Sequence, residues 1–215
     1  MRVEVKVCGL TRAEDARAAA DFGARYVGAI FAGGPRTLDA ARARRVLDGA
    51  GEKVERVVVF GDADVATITR TVREAKLDVV QLHADPGPDA VRAIREATGA
   101  LVWAVVRVDG AVEANALREL WEAADALVLD SKTQGALGGT GTSFDWSAAE
   151  QAVSARVGLL VVAGGLTAAN VGEAIESLSP DIVDVSSGVE SAPGIKDHAR
   201  IADFMESVRR TGALK

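Results

Sequence analysis

The chain has 215 residues, 48% hydrophobic and 26% charged, with 22 glycines and 5 prolines, a composition that excludes collagen-like, low-complexity and disordered classes. Its 25 Lys and Arg against 31 Asp and Glu leave a net charge of -6, the wrong sign for a nucleic-acid partner. One Cys and two His exclude an internal disulfide and a closed Cys/His zinc site.

The N-terminal Met-Arg-Val-Glu-Val-Lys stretch alternates charged and apolar residues, and no later run approaches the roughly 18 apolar residues of a membrane span. The expectation is a cytoplasmic protein with neither membrane nor nucleic acid as partner. Short apolar runs then follow one another at Val3 to Val7, Tyr26 to Phe31, Val54 to Phe60, Val79 to Leu82, Leu101 to Val106, Ala126 to Leu129, Leu159 to Ala163 and Ile182 to Val185. Their length suits strands. Between them lie stretches of helical period beginning near Arg12, Asp39, Asp64, Asp89, Val112, Asp145, Ala168 and Ile195. Thr11 and Glu14 have the spacing of a capping box, and Thr167 stands similarly before the seventh helix.

Eight such βα pairs without a composition break, and without a Gly-rich fingerprint opening the first helix, predict a closed barrel over an open dinucleotide-binding sheet. The expected fold is α/β, a single-domain (β/α)8 (TIM) barrel over residues 1–215. In that fold chemistry gathers at the C-terminal ends of the strands, which here carry Cys8, Phe31, His83, Asp130, Gly164 and Ser186.

Lys6 and Cys8 share one face of the first strand, opposite Val5 and Val7. With the valines toward the helices, both face the barrel interior, where an ammonium would favour the thiolate and make Cys8 a base or nucleophile. The alternative is an inert core cysteine. Asp130 closes an apolar run, so partial desolvation would raise its pKa and suit it to general-acid work; pairing with Lys132 or a turn role is the other reading. Arg36, after Gly33-Gly34-Pro35, either grips a carboxylate through two parallel hydrogen bonds or is a solvated surface residue. His83 either orients substrate or is structural. Glycine-rich turns at Gly138 to Gly141, Gly164-Gly165 and Ser186-Ser187-Gly188 follow strands six, seven and eight. They could bring backbone N–H groups to a phosphate, because glycine permits close approach and the turns occupy the usual anion position of this fold.

Seven blocks in order, Lys6-Val7-Cys8-Gly9-Leu10-Thr11, Gly34-Pro35-Arg36, Gln81-Leu82-His83, Leu129-Asp130-Ser131-Lys132, Gly138-Gly139-Thr140-Gly141 through Phe144-Asp145-Trp146, Ala163-Gly164-Gly165-Leu166 and Asp184-Val185-Ser186-Ser187-Gly188-Val189-Glu190, resemble the motifs of phosphoribosylanthranilate isomerases across nearly the whole chain. The sequence departs from them at Gly34, where the family commonly has Ser, at Ala84 in place of Gly, and at Gly61-Asp62. The resemblance implies an Amadori rearrangement of a phosphorylated aminosugar in tryptophan biosynthesis, without cofactor or metal, by a monomer or homodimer. It implies Asp130 as acid and Cys8 as base, with Arg36 on the anthranilate carboxylate. Lys6 and Asp184 would support the thiolate and contact substrate. Backbone groups at Gly139, Gly141, Gly165, Ser187 and Gly188 would hold the phosphate. Three rival readings stand beside it: the related isomerase of histidine biosynthesis or a dual-substrate isomerase, a thiol hydrolase built on Cys8 and His83, and a non-catalytic sugar-phosphate-binding barrel.

Overall fold

A computed structural model describes residues 3–108, 114–131, 153 and 156–212. Eight parallel strands close in chain order into a barrel: β1 (Glu4–Val7), β2 (Tyr26–Ile30), β3 (Glu55–Phe60), β4 (Val79–Leu82), β5 (Leu101–Val108), β6 (Ala126–Ser131), β7 (Leu159–Ala163) and β8 (Ile182–Val185). Seven α-helices lie among the described residues: α1 (Ala13–Phe22), α2 (Ala40–Asp48), α3 (Val65–Ala75), α4 (Pro88–Thr98), α5 (Ala114–Ala123), α6 (Val171–Leu178) and α7 (His198–Arg210). The helix expected from Asp145 lies outside the described residues.

The period of two along each strand sorts the side chains into two cores. Val5, Val7, Val27, Val58, Val80, Leu127, Val162 and Val183 pack outward beneath the helices. Val57, Val79, Trp103, Val105, Val128, Val161 and Ile182 fill the barrel interior, where Trp103 meets Tyr26 edge-on with ring centroids 5.0 Å apart. Such interior filling makes the lower barrel a packed core and leaves chemistry to its upper rim.

Local chemistry sets the helix ends. Asp39 and Asp64 accept hydrogen bonds from the amides of Arg42 and Thr67, and Gly23 and Gly99 end α1 and α4 in the left-handed conformation. Four expectations change. The Thr11–Glu14 capping box does not form: Arg12 is the N-cap without a side-chain bond, and Thr11 Oγ1 donates instead to Gly194 O at 2.5 Å. Thr167 precedes α6 by a full turn, with Asn170 at the N-cap. Its carbonyl accepts from the amides of Asn170 and Val171. The helix expected from Ile195 begins only at His198, because Gly194 (φ +80°) reverses the chain and Ile195–Lys196 pairs antiparallel with Glu190–Ala192 as a small hairpin, β9 and β10. Finally, β5 and β6 run further than their apolar stretches, so that Arg107 and Asp130 lie in register on neighbouring strands.

Candidate active site

The inward face of β1 carries Lys6 and then Cys8 at the strand's end, both buried, with Cys8 N donating to Val185 O at 2.9 Å to extend the ladder toward β8. Opposite Lys6 in register stands Asp184, and Lys6 Nζ donates to Asp184 Oδ2 at 2.5 Å. Gly28 on β2 makes this possible: a Cβ there would lie 3.0 Å from Cys8 Sγ and 3.3 Å from Lys6 Cε. The strand therefore leaves room for a lysine and a thiol where a side chain would crowd both.

Proton affinities follow from this packing. Burial alone would depress the Lys6 ammonium, but the adjacent Asp184 carboxylate holds its pKa above the ordinary lysine value. Cys8 is pushed up by burial, and Asp184 adds to the rise, against the opposing pull of Lys6. Lys6 does favour the thiolate, as expected, but burial and the Asp184 charge outweigh it, so the Cys8 thiol stands above its ordinary value. Asp130 behaves as its apolar setting predicts: burial, then the Asp184 charge, raise its carboxyl to about 6.

His83, at the end of β4, lies with Nε2 at 3.7 Å from Asp130 Oδ2, and its pKa is lowered by burial and by Arg107. It is neutral at neutral pH and faces the carboxyl, so the pairing of Cys8 with His83 required by a thiol hydrolase is not the arrangement found. Arg107, not singled out in the sequence, donates from Nη2 to His83 O at 2.8 Å and from Nη1 to Asp85 Oδ2 at 3.2 Å. The apolar run read from the sequence ends at Val106, one residue short of it; the extra length of β5 carries it to the rim. Gln81 and Asp184 are almost fully buried, and Gln81 Oε1, His83 Nδ1 and Asp184 Oδ1 have no hydrogen-bond partner among the described residues. Acceptors in such positions are ready for a polar ligand.

Arg36 is not the freely solvated surface residue of the alternative reading. Its Nε and Nη2 donate to Glu190 Oε1 and Oε2 at 2.8 and 2.6 Å, with its stem lying over Gly9, where a Cβ would meet Arg36 Cδ at 2.8 Å. On the far side of the rim Gly164 and Gly165 take φ of +89° and +63°. A short 3-10 turn, Ser187–Val189, follows β8. These two loops touch through Gly188, whose Cβ position lies 2.0 Å from Leu166 O. Gly165 and Ser187 are exposed there; Gly139, Gly141 and Lys132 lie outside the described residues.

One strand-end thiol, one carboxyl of raised pKa and two glycine-shaped loops thus meet on one rim, in the order of the resembling motifs. A sequence profile of N-(5'phosphoribosyl)anthranilate (PRA) isomerase matches residues 5–207. The chain belongs to the phosphoribosylanthranilate isomerase family. The family's N-(5'-phosphoribosyl)anthranilate isomerase of Acidithiobacillus ferrooxidans is 42% identical over 210 residues, 97% of this chain and 98% of that one. The crystal structure of phosphoribosyl anthranilate isomerase from Thermotoga maritima is similar with a TM-score of 0.86 at 34% identity, covering 97% of this chain and 99% of that one. A family structure in complex with reduced 1-(o-carboxyphenylamino)-1-deoxyribulose 5-phosphate is similar with a TM-score of 0.82 at 32% identity, over 97% and 99% of the two chains. Family membership makes the chain an isomerase, and among the described residues no helix is long and apolar enough to cross a membrane.

Proposed function

We infer that this chain converts N-(5-phosphoribosyl)anthranilate to 1-(2-carboxyphenylamino)-1-deoxyribulose 5-phosphate in tryptophan biosynthesis, as a monomer or homodimer needing no cofactor or metal. The observation that carries the reading is the raised carboxyl of Asp130 (about 6) sharing the Lys6–Asp184 pair with the buried thiol of Cys8. A rearrangement that needs one proton donor and one acceptor has two groups that can serve, the carboxyl as donor and the sulfur as acceptor, each acting in its minority protonation state at neutral pH.

In the first step protonated Asp130 gives its proton to the ribose ring oxygen. The C1'–O bond breaks, its electron pair stays on that oxygen, and the nitrogen lone pair forms an iminium with C1'. Cys8, as thiolate, then removes the C2' proton, and the freed pair neutralises the iminium to give an enolamine. Ketonisation moves the hydroxyl proton to C1' and yields the aminoketose. Substrate and product are isomers because the proton gained from Asp130 equals the proton lost to Cys8. Turnover leaves Cys8 protonated and Asp130 ionised, so a proton must return from sulfur to carboxylate before the next cycle.

Holding both anionic ends would fix the sugar between acid and base. Arg36 takes the anthranilate carboxylate, the backbone of Gly139, Gly141, Gly165, Ser187 and Gly188 takes the phosphate, and the unpartnered oxygen of Asp184, with His83 and Lys6 beside it, lies along the sugar. The test is a fluorescence assay of phosphoribosylanthranilate consumption on the native protein, Cys8→Ala and Asp130→Asn. Each variant is expected to bind the reduced product analogue and to lose at least roughly 100-fold in turnover. Native-like turnover in a variant removes that residue from the mechanism, and turnover of only the histidine-pathway aminoaldose overturns the substrate.

A further inference from the structure

Arg36 meets Glu190 through one edge only. A guanidinium carries five N–H groups, and the Nε/Nη2 edge is spent on the two oxygens of Glu190, leaving the Nη1/Nη2 end without a partner among the described residues. Glu190 is itself immobilised. Its Oε1 accepts from Lys196 Nζ at 2.9 Å and from Gly194 N at 3.2 Å as well as from Arg36, and its backbone carbonyl accepts from Arg200 Nη1 at 2.5 Å. Lys196 has a fully buried side chain and is held by a second bond to Ser186 O at 3.0 Å.

The charges matter as much as the geometry. An Arg36–Glu190 pair alone is neutral and would attract no further anion. Burial lowers the pKa of the Lys196 ammonium while the Glu190 carboxylate works against that; with Lys196 charged, the two cations of this cluster outnumber its one carboxylate, and among the three side chains it is the open end of Arg36, 20% exposed, that reaches the rim. Lys196, by contrast, has no exposure with which to meet a ligand.

We propose that Glu190 and Lys196 are positioning residues that make Arg36 a carboxylate receptor, Glu190 fixing the plane and direction of the guanidinium and Lys196 supplying the charge that Glu190 cancels. The proposal deepens the isomerase reading and rests on it: the ligand is the aryl carboxylate of the substrate, met end-on by Nη1 and Nη2 while Glu190 stays side-on. It assigns specificity for an ortho-carboxylated arylamine to a triad spanning the loop after β2 and the hairpin after β8. Burial alone would raise the carboxyl of Glu190, but the bonds from Arg36 and the charge of Lys196 bring it below the ordinary glutamate range, so the anion persists through neutral pH.

The test measures binding of two reduced product analogues by calorimetry, one with the 2-carboxyphenyl group and one with plain phenyl in its place. Native protein is expected to favour the carboxylated compound. Lys196→Met should lose at least about tenfold in affinity for it and raise KM similarly; in Glu190→Gln the loss of the fixed guanidinium plane should outweigh the added positive charge and give a loss of the same order, with affinity for the phenyl compound unchanged in both. Lys196→Arg should keep the preference. Equal loss for both compounds would show a merely structural role and overturn the proposal, as would no loss for either. Glu190→Gln keeps the shape of the side chain and keeps the test available if Lys196→Met does not fold. A native protein that turns over phosphoribosylanthranilate without distinguishing the two analogues overturns this proposal alone; one that binds neither analogue and turns over no substrate overturns the isomerase reading with it.

Discussion

Lys6 and Asp184, 178 residues apart in the chain, close a buried 2.5 Å ion pair whose charges act on both Cys8 and Asp130. Asp184 raises both groups, so Asp184→Asn is expected to lower both proton affinities while leaving Lys6 as an uncompensated buried ammonium. Removing one member of such a pair costs about 3–5 kcal/mol of stability. The pH dependence of Cys8 alkylation, compared with the native protein, should shift to lower pH; an unmoved midpoint would disprove the coupling.

At neutral pH the thiol form of Cys8 and the carboxylate form of Asp130 predominate, because burial lifts the thiol and Asp130 titrates at about 6. Chemistry needs the opposite pair, a protonated acid and a thiolate. Between the two pKa values the product of these minor fractions is constant, and outside them it falls. The expected profile of kcat/KM is therefore bell-shaped, with an acidic limb near 6 and an alkaline limb above the ordinary cysteine value of about 8.5. In Asp130→Asn the acidic limb should vanish and the residual rate should climb with pH until Cys8 has ionised. A persisting limb near 6 would place that titration elsewhere.

Gly188 joins the loops after β7 and β8. A Cβ there falls 2.0 Å from Leu166 O and 3.1 Å from Leu166 C, backbone atoms that cannot rotate aside, so Gly188→Ala must spread the loops. A loss of about 1–3 kcal/mol is expected in chemical denaturation, together with a higher KM. Native stability and KM would show that the loops adapt freely.

Asp15, at the start of α1 and fully buried, receives Arg12 Nε and Nη2 at 2.9 and 2.7 Å, the amide of Lys196 at 3.1 Å, and lies 2.9 Å from His198 Nε2. Burial alone would raise its carboxyl, but the bonds from Arg12 and His198 leave it below the usual aspartate value. A folded-state pKa below the unfolded one stabilises above the unfolded value, about 3.9, and the benefit disappears as pH falls through the folded value. Asp15→Asn is expected to cost about 2–4 kcal/mol at pH 7. The gap in urea midpoint between the two proteins should narrow below about pH 4; a constant gap would exclude an ionic origin.

The barrel, and the pairing of side chains on each face of its strands, were legible in the residue pattern alone. Alternation makes it a local property that Lys6 and Cys8 share a face opposite Val5 and Val7, since the pleat turns successive side chains to opposite faces whatever lies around them; closure of the barrel makes that face the inward one. The ordered motifs marked the family for the same reason: they record which residue types stand at the strand ends. Periodicity could not register Ile195, where a glycine with positive φ turned a helical pattern into a hairpin, nor the length of β5 that brings Arg107 to the rim. Only the tertiary structure decided charge and partnership. Whether Cys8 is a thiol, whether Lys6 is free to act on it, and whether Arg36 meets water or Glu190, 154 residues away, depends on desolvation and on charges from distant segments. Those energies arise when the chain closes on itself, and no local pattern contains them.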